Sequence, residues 1–285
     1  MHEQVPVSSA ALADLEADGS LHEICGDLAY QRLAIVNVVF YGRPGAADGE
    51  WVLIDAGVAG STPFIIDAVE RRFGPDARPA AIIMTHGHFD HVGALEELAQ
   101  RWDVPIFAHA DEAPYLNGGE PYPPPDPSVG GGLMSALSRF YPRGPIDVSR
   151  WLRPFPPDGS VPAMSGWRWI HTPGHTRGHV SLFRDSDRTL IAGDAFITTN
   201  QESAYAVAIQ RTEIHGPPMY YTTDWQAAHE SVERLAALEP EVVISGHGRA
   251  LLGAEMRLAL HTLARDFDRL AVPEQGRYVG AAAHA

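Results

Sequence analysis

Four apolar runs of this chain each end on a histidine or an aspartate beside a glycine, and this pattern restricts the fold more than any other feature. The runs are "AAIIM" before "THGHFDH" (80–91), "WRWIHT" before "PGH" (167–175), "LIAGD" (190–194) and "VVISGHG" (242–248). A buried imidazole or carboxylate needs a hydrogen-bond partner or costs free energy, so a core strand gains nothing from such residues. The pattern therefore predicts strands whose ends carry side chains for a chemical task.

The densest part of the pattern is the stretch 86–91. His86 and His88 stand two positions apart at the end of a predicted strand, and alternation directs both side chains to one side. Asp90 and His91 continue into the start of a helix and are placed to face a second point nearby. The alternative interpretation is that these histidines are structural, buried in the core and satisfied by hydrogen bonds.

The later runs add His175 in a Pro-Gly turn, Asp194 at a strand end and His247 between two glycines. Five histidines and two aspartates supply nitrogen and oxygen donors but no sulfur, which fits Zn²⁺ or another first-row divalent ion. Cys25 is the only cysteine, so the chain has no intramolecular disulfide and no thiolate cluster. The residues also fit two metal ions if one carboxylate bridges them.

Strand-like and helix-like segments alternate through both halves of the chain. "WVLIDAG" (51–57) is typical of a strand, and "STPFIIDAVERRFG" (61–74) predicts a helix with Ser61 or Thr62 as its cap and Gly74 as its end. The turn "DSDR" (185–188) joins two later strands. Such mixing indicates a layered α/β architecture.

Composition limits the partners. The chain has 285 residues and a formal net charge of -15, which repels a phosphate backbone and argues against nucleic acid. The first residues lack the basic and apolar regions of a signal peptide, and no apolar stretch reaches the roughly 18 residues that span a membrane. We expect a cytoplasmic protein with no membrane partner, and a homodimer is compatible with the sequence.

Two segments depart from regular structure. Residues 117–132 contain five glycines and five prolines in sixteen positions, which fits either a surface linker or a lid over a pocket. Residues 276–285 are expected to form a flexible tail.

The motifs "HGHFDH", "PGHTRGH", "GDAF" and "SGHG", in this order, resemble those of the metallo-β-lactamase superfamily, and "LIDAG" with Asp55 resembles its first motif. The resemblance implies an αββα four-layer sandwich with two mixed β-sheets. It also implies a single domain over residues 1–275, with a Gly/Pro-rich insertion at about 117–150. The bridging aspartate is more similar to the glyoxalase II and lactonase branch than to the true β-lactamases.

The resemblance also implies a role for each motif residue in a site for two Zn²⁺ ions, with Fe or Mn as other metals that fit. The first metal would be bound by His86, His88 and His175, the second by Asp90, His91 and His247, and Asp194 would bridge the two. Asp55 would hold a ligand imidazole, and His179 would support the site without ligating a metal.

The implied reaction is hydrolysis of an ester, thioester or lactone carbonyl by a metal-bound hydroxide, which Asp90 would orient. Three alternatives remain: a persulfide dioxygenase with mononuclear iron, β-lactamase activity, and a metal-bound scaffold without catalysis. Each uses the same motifs.

The substrate region is the least determined part of the sequence. Residues 201–225 are either a loop and helix that pack on the fold or a wall over the metals. In the second interpretation Tyr205, His215, Tyr220 or Tyr221 contacts a small-molecule substrate. Met and aromatic residues there predict an apolar acyl part, because burial of the rest of the substrate sets specificity.

Overall fold

The computed structural model describes residues 4–13 and 21–280. The chain divides into two compact units. The N-terminal unit consists of Asp14–Tyr122 and Arg143–Trp169, and the C-terminal unit consists of Met1–Ala13, Pro123–Pro142 and Ile170–Ala285. The prediction of a single domain over 1–275 stays a prediction.

The strands of the described residues are short. In chain order they are β1 (Val5–Pro6), β2 (His22–Cys25), β3 (Leu28–Leu33), β4 (Val36–Tyr41), β5 (Val52–Ile54), β6 (Ala81–Ile83), β7 (Ile106–Ala108), β8 (Leu152–Pro154), β9 (Trp167–His171), β10 (Val180–Arg184), β11 (Thr189–Gly193), β12 (Glu213–Ile214), β13 (Val242–Ser245) and β14 (Leu251–Leu252).

The α-helices are α1 (Thr62–Phe73), α2 (Leu95–Trp102), α3 (Ala113–Leu116), α4 (Leu133–Leu137), α5 (Ala204–Ile209), α6 (Trp225–Ala236), α7 (Gly253–Arg265) and α8 (Phe267–Leu270). Short 3₁₀ turns lie at Ser9–Ala11, Ala110–Glu112 and Ser138–Phe140.

A seven-stranded mixed sheet forms the centre of the N-terminal unit, in the order β2-β3-β4-β5-β6-β7-β8. The strands β2 to β5 pair antiparallel, whereas β5 to β8 pair parallel. The central strands β5 and β6 are buried along their whole length, which explains their uninterrupted apolar sequences. The helices α1 and α2 pack on this sheet in one apolar core, where the Trp51 and Phe73 rings stack 4.5 Å apart.

The helix α1 has the predicted bounds and the predicted Ser61 at its N-cap position, but no capping hydrogen bond from the Ser61 side chain. Pro63 lies in its first turn, and the helix ends at Gly74, whose φ of 109° suits glycine. Ser61 occupies the N-cap position, but its side chain makes no capping hydrogen bond, and the Thr62 hydroxyl donates to Glu97 instead. The backbone of Ser61 is already helical (φ -73°, ψ -17°), and the extended conformation that directs a cap side chain to the first amides is absent.

A five-stranded mixed sheet forms the centre of the C-terminal unit, in the order β14-β13-β11-β10-β9. The pair β11–β13 is parallel, and β10–β11 and β13–β14 are antiparallel. The predicted turn 185–188 joins β10 to β11. The helices α6, α7 and α8 share a core with this sheet, so the predicted α/β class with two mixed sheets is confirmed.

The C-terminal segment contacts the Pro-rich segment. Residues 276–280 are packed, because Arg277 donates from its backbone N–H to Asp126 and from Nη1 to the carbonyls of Pro124 and Pro125, at 3.1 and 3.2 Å. The Tyr278 hydroxyl also donates to Pro124 O, at 2.6 Å. The Pro-rich segment offers these carbonyls without competing N–H donors, and the prediction of a flexible tail over 276–285 stays a prediction. Residues 281–285 lie outside the described residues.

Within the described ranges, no helix is long and apolar enough to cross a membrane.

Asp126 joins the Pro-rich segment to the C-terminal residues, and its removal should destabilise the fold. Its carboxylate accepts from Ser128 and Arg277, and its N–H donates to Tyr220 O at 2.8 Å. Asp126→Ala should lower the free energy of unfolding by about 1–3 kcal/mol in urea denaturation, since three part-buried hydrogen bonds lose their acceptor. Asp147→Ala is the matched control, because Asp147 accepts from Ser149 in the same way but is exposed; its effect should stay within about 0.5 kcal/mol.

A pH series on Asp126→Asn tests the same carboxylate. Burial raises the pKa of Asp126, but hydrogen bonds from Ser128 and Arg277 outweigh burial and lower the pKa below its usual value of 3.8. The stability that Asp126 contributes is therefore complete above that value and is lost as pH falls through the native pKa. The difference in free energy of unfolding between the wild type and Asp126→Asn should therefore shrink as the pH falls. A difference that stays constant on acidification would contradict this assignment.

Candidate metal centre

The N-terminal unit brings four of the predicted ligands together after β6. His86, His88, Asp90 and His91 are all buried, and the His86 ring lies 4.8 Å from the His88 ring and 4.1 Å from the His91 ring, centroid to centroid. Three buried imidazoles and a carboxylate in one loop need hydrogen bonds or a cation to offset their lost hydration.

Asp55, directly after β5, holds two of these imidazoles. Its Oδ2 lies 2.8 Å from His91 Nδ1 and accepts from the Thr85 hydroxyl, also at 2.8 Å. Since the Thr85 proton goes to Asp55, the contact between Thr85 Oγ1 and His86 Nδ1 (3.1 Å) is donated by the imidazole. Both histidines therefore carry a proton on Nδ1 and keep the lone pair on Nε2, which is the form that ligates a metal.

The C-terminal unit brings His175, Asp194 and His247 together. Asp194 Oδ2 lies 3.0 Å from His247 Nε2 and 3.5 Å from His175 Nε2, and all three side chains are buried. His175 Nδ1 lies 3.3 Å from the Thr222 hydroxyl, whose own proton is donated to Pro218 O. His175 thus donates from Nδ1, and its Nε2 lone pair faces a carboxylate oxygen.

Two acceptors that face each other require a positive charge between them, either a proton or a metal ion. A divalent ion with ligand bonds of about 2.0–2.2 Å brings nitrogen and oxygen ligands to about 3.3–3.6 Å of each other at tetrahedral angles. The distance of 3.5 Å between Asp194 Oδ2 and His175 Nε2 lies in this range, and the distance of 3.0 Å to His247 Nε2 is shorter. The donor chemistry of this group therefore fits a metal ion.

His179 supports Asp194 through a chain of hydrogen bonds in which each group accepts from one neighbour and donates to the next. The Asp194 N–H donates to His179 Nε2 at 2.8 Å, so the His179 proton lies on Nδ1 and is donated to Thr172 Oγ1 at 2.8 Å. Thr172 donates on to Ser181 Oγ at 3.1 Å, because Ser181 donates to Ala192 O at 2.8 Å. The arrangement holds the imidazole neutral and fixes the backbone at Asp194, and it commits both ring nitrogens to protein atoms.

The glycine after His247 lets two chain segments approach closely. Gly248 has a φ of 92°, and a Cβ there would lie 2.5 Å from Thr198 Oγ1. Thr198 donates from N and Oγ1 to His247 O, at 3.1 and 3.0 Å. These contacts fix the backbone that carries the imidazole.

The four candidate substrate contacts lie in different environments of the C-terminal unit. Tyr205 on α5 is 69% exposed, whereas His215, Tyr220 and Tyr221 are buried. His215 donates from Nδ1 to Gly216 O at 3.0 Å, and its Nε2 lies 3.3 Å from the Glu202 carboxylate. A substrate role for any of them stays a prediction.

Other parts of the site were not found from the sequence. Glu112 and Tyr122, both buried, contact the backbone of Gly87 between two of the histidines. Burial, with the charge of Glu112, raises the pKa of Tyr122 well above its usual value of 10.0, so the phenol stays protonated. Thr85 and Thr172 directly precede or begin histidine motifs, and this proximity could have identified them from the sequence. Glu112 and Tyr122 lie 25 and 35 residues from Gly87, so no such local signal existed for them.

Comparisons with known proteins show that the chain belongs to the metallo-β-lactamase superfamily. The sequence profile of the metallo-β-lactamase superfamily matches residues 32–247. The probable metallo-hydrolase YflN of Bacillus subtilis (strain 168) is 49% identical over 230 residues, which are 81% of this chain and 87% of the relative. A hydroxyacylglutathione hydrolase of Xanthomonas axonopodis pv. citri (strain 306) is 27% identical over 215 residues, 75% of this chain and 62% of the relative. The crystal structure of a β-lactamase domain protein from Burkholderia ambifaria has a TM-score of 0.62 at 19% identity, covering 93% of this chain and 79% of that one.

The two buried aspartates should differ in their effect on metal binding. Asp55→Asn keeps the volume but weakens the orientation of His91 and His86, and should weaken zinc affinity about 10–100-fold. Asp194→Asn should weaken it further, because the expected bridging ligand loses its charge. Competition with a chromogenic chelator measures both. Equal losses in the two variants would show that Asp194 is not shared by two ions.

Proposed function

The chain is a metallo-hydrolase of the metallo-β-lactamase superfamily, and we propose that it cleaves the carbonyl bond of a small ester, thioester or lactone. The observation that carries this proposal is the buried set of nitrogen and oxygen donors, with protons held away from the ligating nitrogens of His86, His91 and His175.

We propose that the donors hold two divalent ions, most readily zinc. His86, His88 and His175 would bind one ion, Asp90, His91 and His247 the other, and Asp194 both. The absence of sulfur from the set and the burial of every member support a hard or borderline ion, with iron or manganese as the other candidates. The contacts of Asp194 with two imidazoles support its bridging role.

When bound, two such ions lower the pKa of a shared water and polarise a carbonyl oxygen. The protein side chains supply the rest. Asp90, buried and acidic, would accept a hydrogen bond from the nucleophilic water and direct it. Asp55 keeps the imidazoles of His91 and His86 in one tautomer, and His179 fixes the backbone of Asp194, so little reorganisation is needed during the reaction.

The surroundings favour a substrate with an apolar acyl part over an anionic one. The expected walls, 117–145 and 201–225, contain Met, Tyr, Phe and Pro. Arg143 donates to Tyr122 O at 3.1 Å, and the Arg139 guanidinium lies 4.7 Å from the Phe140 ring centre. Arg211 is exposed.

Metal removal is the first test. Protein purified without chelator should contain close to two zinc ions per chain by elemental analysis. Chelation should abolish hydrolysis and lower the melting temperature, because an ion that binds only the native state stabilises it. About one iron per chain together with oxygen consumption would overturn the hydrolase proposal in favour of a dioxygenase.

The substrate class is tested by a hydrolysis screen across lactones, thioesters, aryl esters and β-lactams. The best substrates should be uncharged near the carbonyl and carry a medium apolar acyl group, since the walls and not the hydroxide discriminate. Arg139→Ala, Arg143→Ala and Arg211→Ala should leave kcat/KM within about threefold, because none pairs with a substrate charge. A β-lactam or a glutathione thioester as the best substrate, with one of these arginines essential, would contradict the apolar pocket.

A further inference from the structure

We infer that Glu112 and Tyr122 are positioning residues that hold the loop between His86 and His88 in its metal-binding conformation. This inference rests on the proposed metal site. It assigns a function to two buried side chains that lie outside the metal-ligand motifs.

The contacts converge on one backbone amide. The N–H of Gly87 lies 3.0 Å from Glu112 Oε2 and 2.8 Å from Tyr122 Oη, and the Tyr122 hydroxyl donates to the same Glu112 oxygen. Glu112 is completely buried and Tyr122 nearly so. A buried carboxylate is costly unless donors satisfy it, and here the donors are a loop amide and a phenol.

The position of these contacts connects them to the ligands. The peptide of Gly87 lies between His86 and His88, so fixing its N–H direction restricts the backbone rotations that aim both imidazoles. The Tyr122 ring also packs on the His88 ring, with centroids 4.4 Å apart. The Tyr122 ring stacks on the Tyr115 ring as well, with centroids 3.8 Å apart. One side chain therefore restrains the loop backbone and a ligand ring together.

Glycine at position 87 is part of the same arrangement. A Cβ there would lie 2.8 Å from Tyr122 Oη and 3.0 Å from Leu116 Cδ2, so a larger residue would displace the phenol or the loop. Glu112 ends the 3₁₀ turn that follows β7, the strand beside β6 in the sheet. The contact thus ties the loop after β6 to the end of the neighbouring strand.

The test uses the full chain with Glu112→Gln and Tyr122→Phe, which remove the charge or the hydroxyl while keeping the volume. Zinc affinity is measured by chelator competition, and ligand geometry by the visible absorption spectrum of the Co²⁺-substituted protein. We expect zinc affinity to fall about 10–100-fold in each variant, as for other residues that orient metal ligands. The Co²⁺ spectrum should change. The metal-free protein of each variant should still fold cooperatively, at a lower melting temperature than the wild type, because a buried hydrogen bond is lost.

Tyr115→Phe is the matched control, since it removes a hydroxyl from the neighbouring buried ring and keeps the stack on Tyr122. Its zinc affinity and Co²⁺ spectrum should equal those of the wild type. Wild-type affinity and spectrum in both Glu112→Gln and Tyr122→Phe would overturn the inference while leaving the proposed function intact. Failure of both variants to fold would also overturn it, because the pair would then support the core. A wild-type protein that binds no zinc would overturn the inference and the proposed function together.

Discussion

The buried carboxylate of Asp55 determines much of what the N-terminal ligand group can do. It receives the Thr85 amide, the Thr85 hydroxyl and the His91 imidazole, and through Thr85 it also directs the proton of His86. Because β5 and β6 run parallel, their carboxyl ends meet at one edge of the sheet, and a side chain after one strand reaches the loop after the other. Tautomer, orientation and loop conformation thus depend on one group of hydrogen bonds.

The same principle operates in the C-terminal unit with different residues. His179 holds the backbone of Asp194, and Thr222 sets the proton of His175. In both units a threonine or carboxylate takes the Nδ1 proton, and Nε2 is left as the ligating atom. This repeated choice of tautomer supports the proposal of metal ions, since a neutral imidazole with its proton on Nδ1 ligates a metal through Nε2.

Much of the fold could be predicted because short apolar runs and their terminating glycines are local signals. The strands β5, β6, β9, β11 and β13 and the helix α1 lie within or overlap the segments that the sequence pattern marked. The candidate ligands could be predicted for the same reason, since each stands directly after such a run.

The rest depended on contacts between distant residues, which one sequence does not reveal. Ser61 has the right residue type for a cap but the wrong backbone conformation. Residues 276–280 are rich in small and polar groups, yet Arg277 and Tyr278 find carbonyls some 150 positions away, at Pro124. The contacts of Glu112 and Tyr122 with Gly87 are likewise invisible in the spacing of motifs, because neither residue belongs to one.

The central claim is that seven named side chains bind two metal ions. Anomalous diffraction from crystals of the untreated protein, recorded on both sides of the zinc absorption edge, tests it most directly. The account predicts two anomalous peaks, each ligated by histidine nitrogen and aspartate oxygen, with Asp194 in contact with both. No peak, a single peak, or peaks ligated by residues outside His86, His88, Asp90, His91, His175, Asp194 and His247 would contradict it.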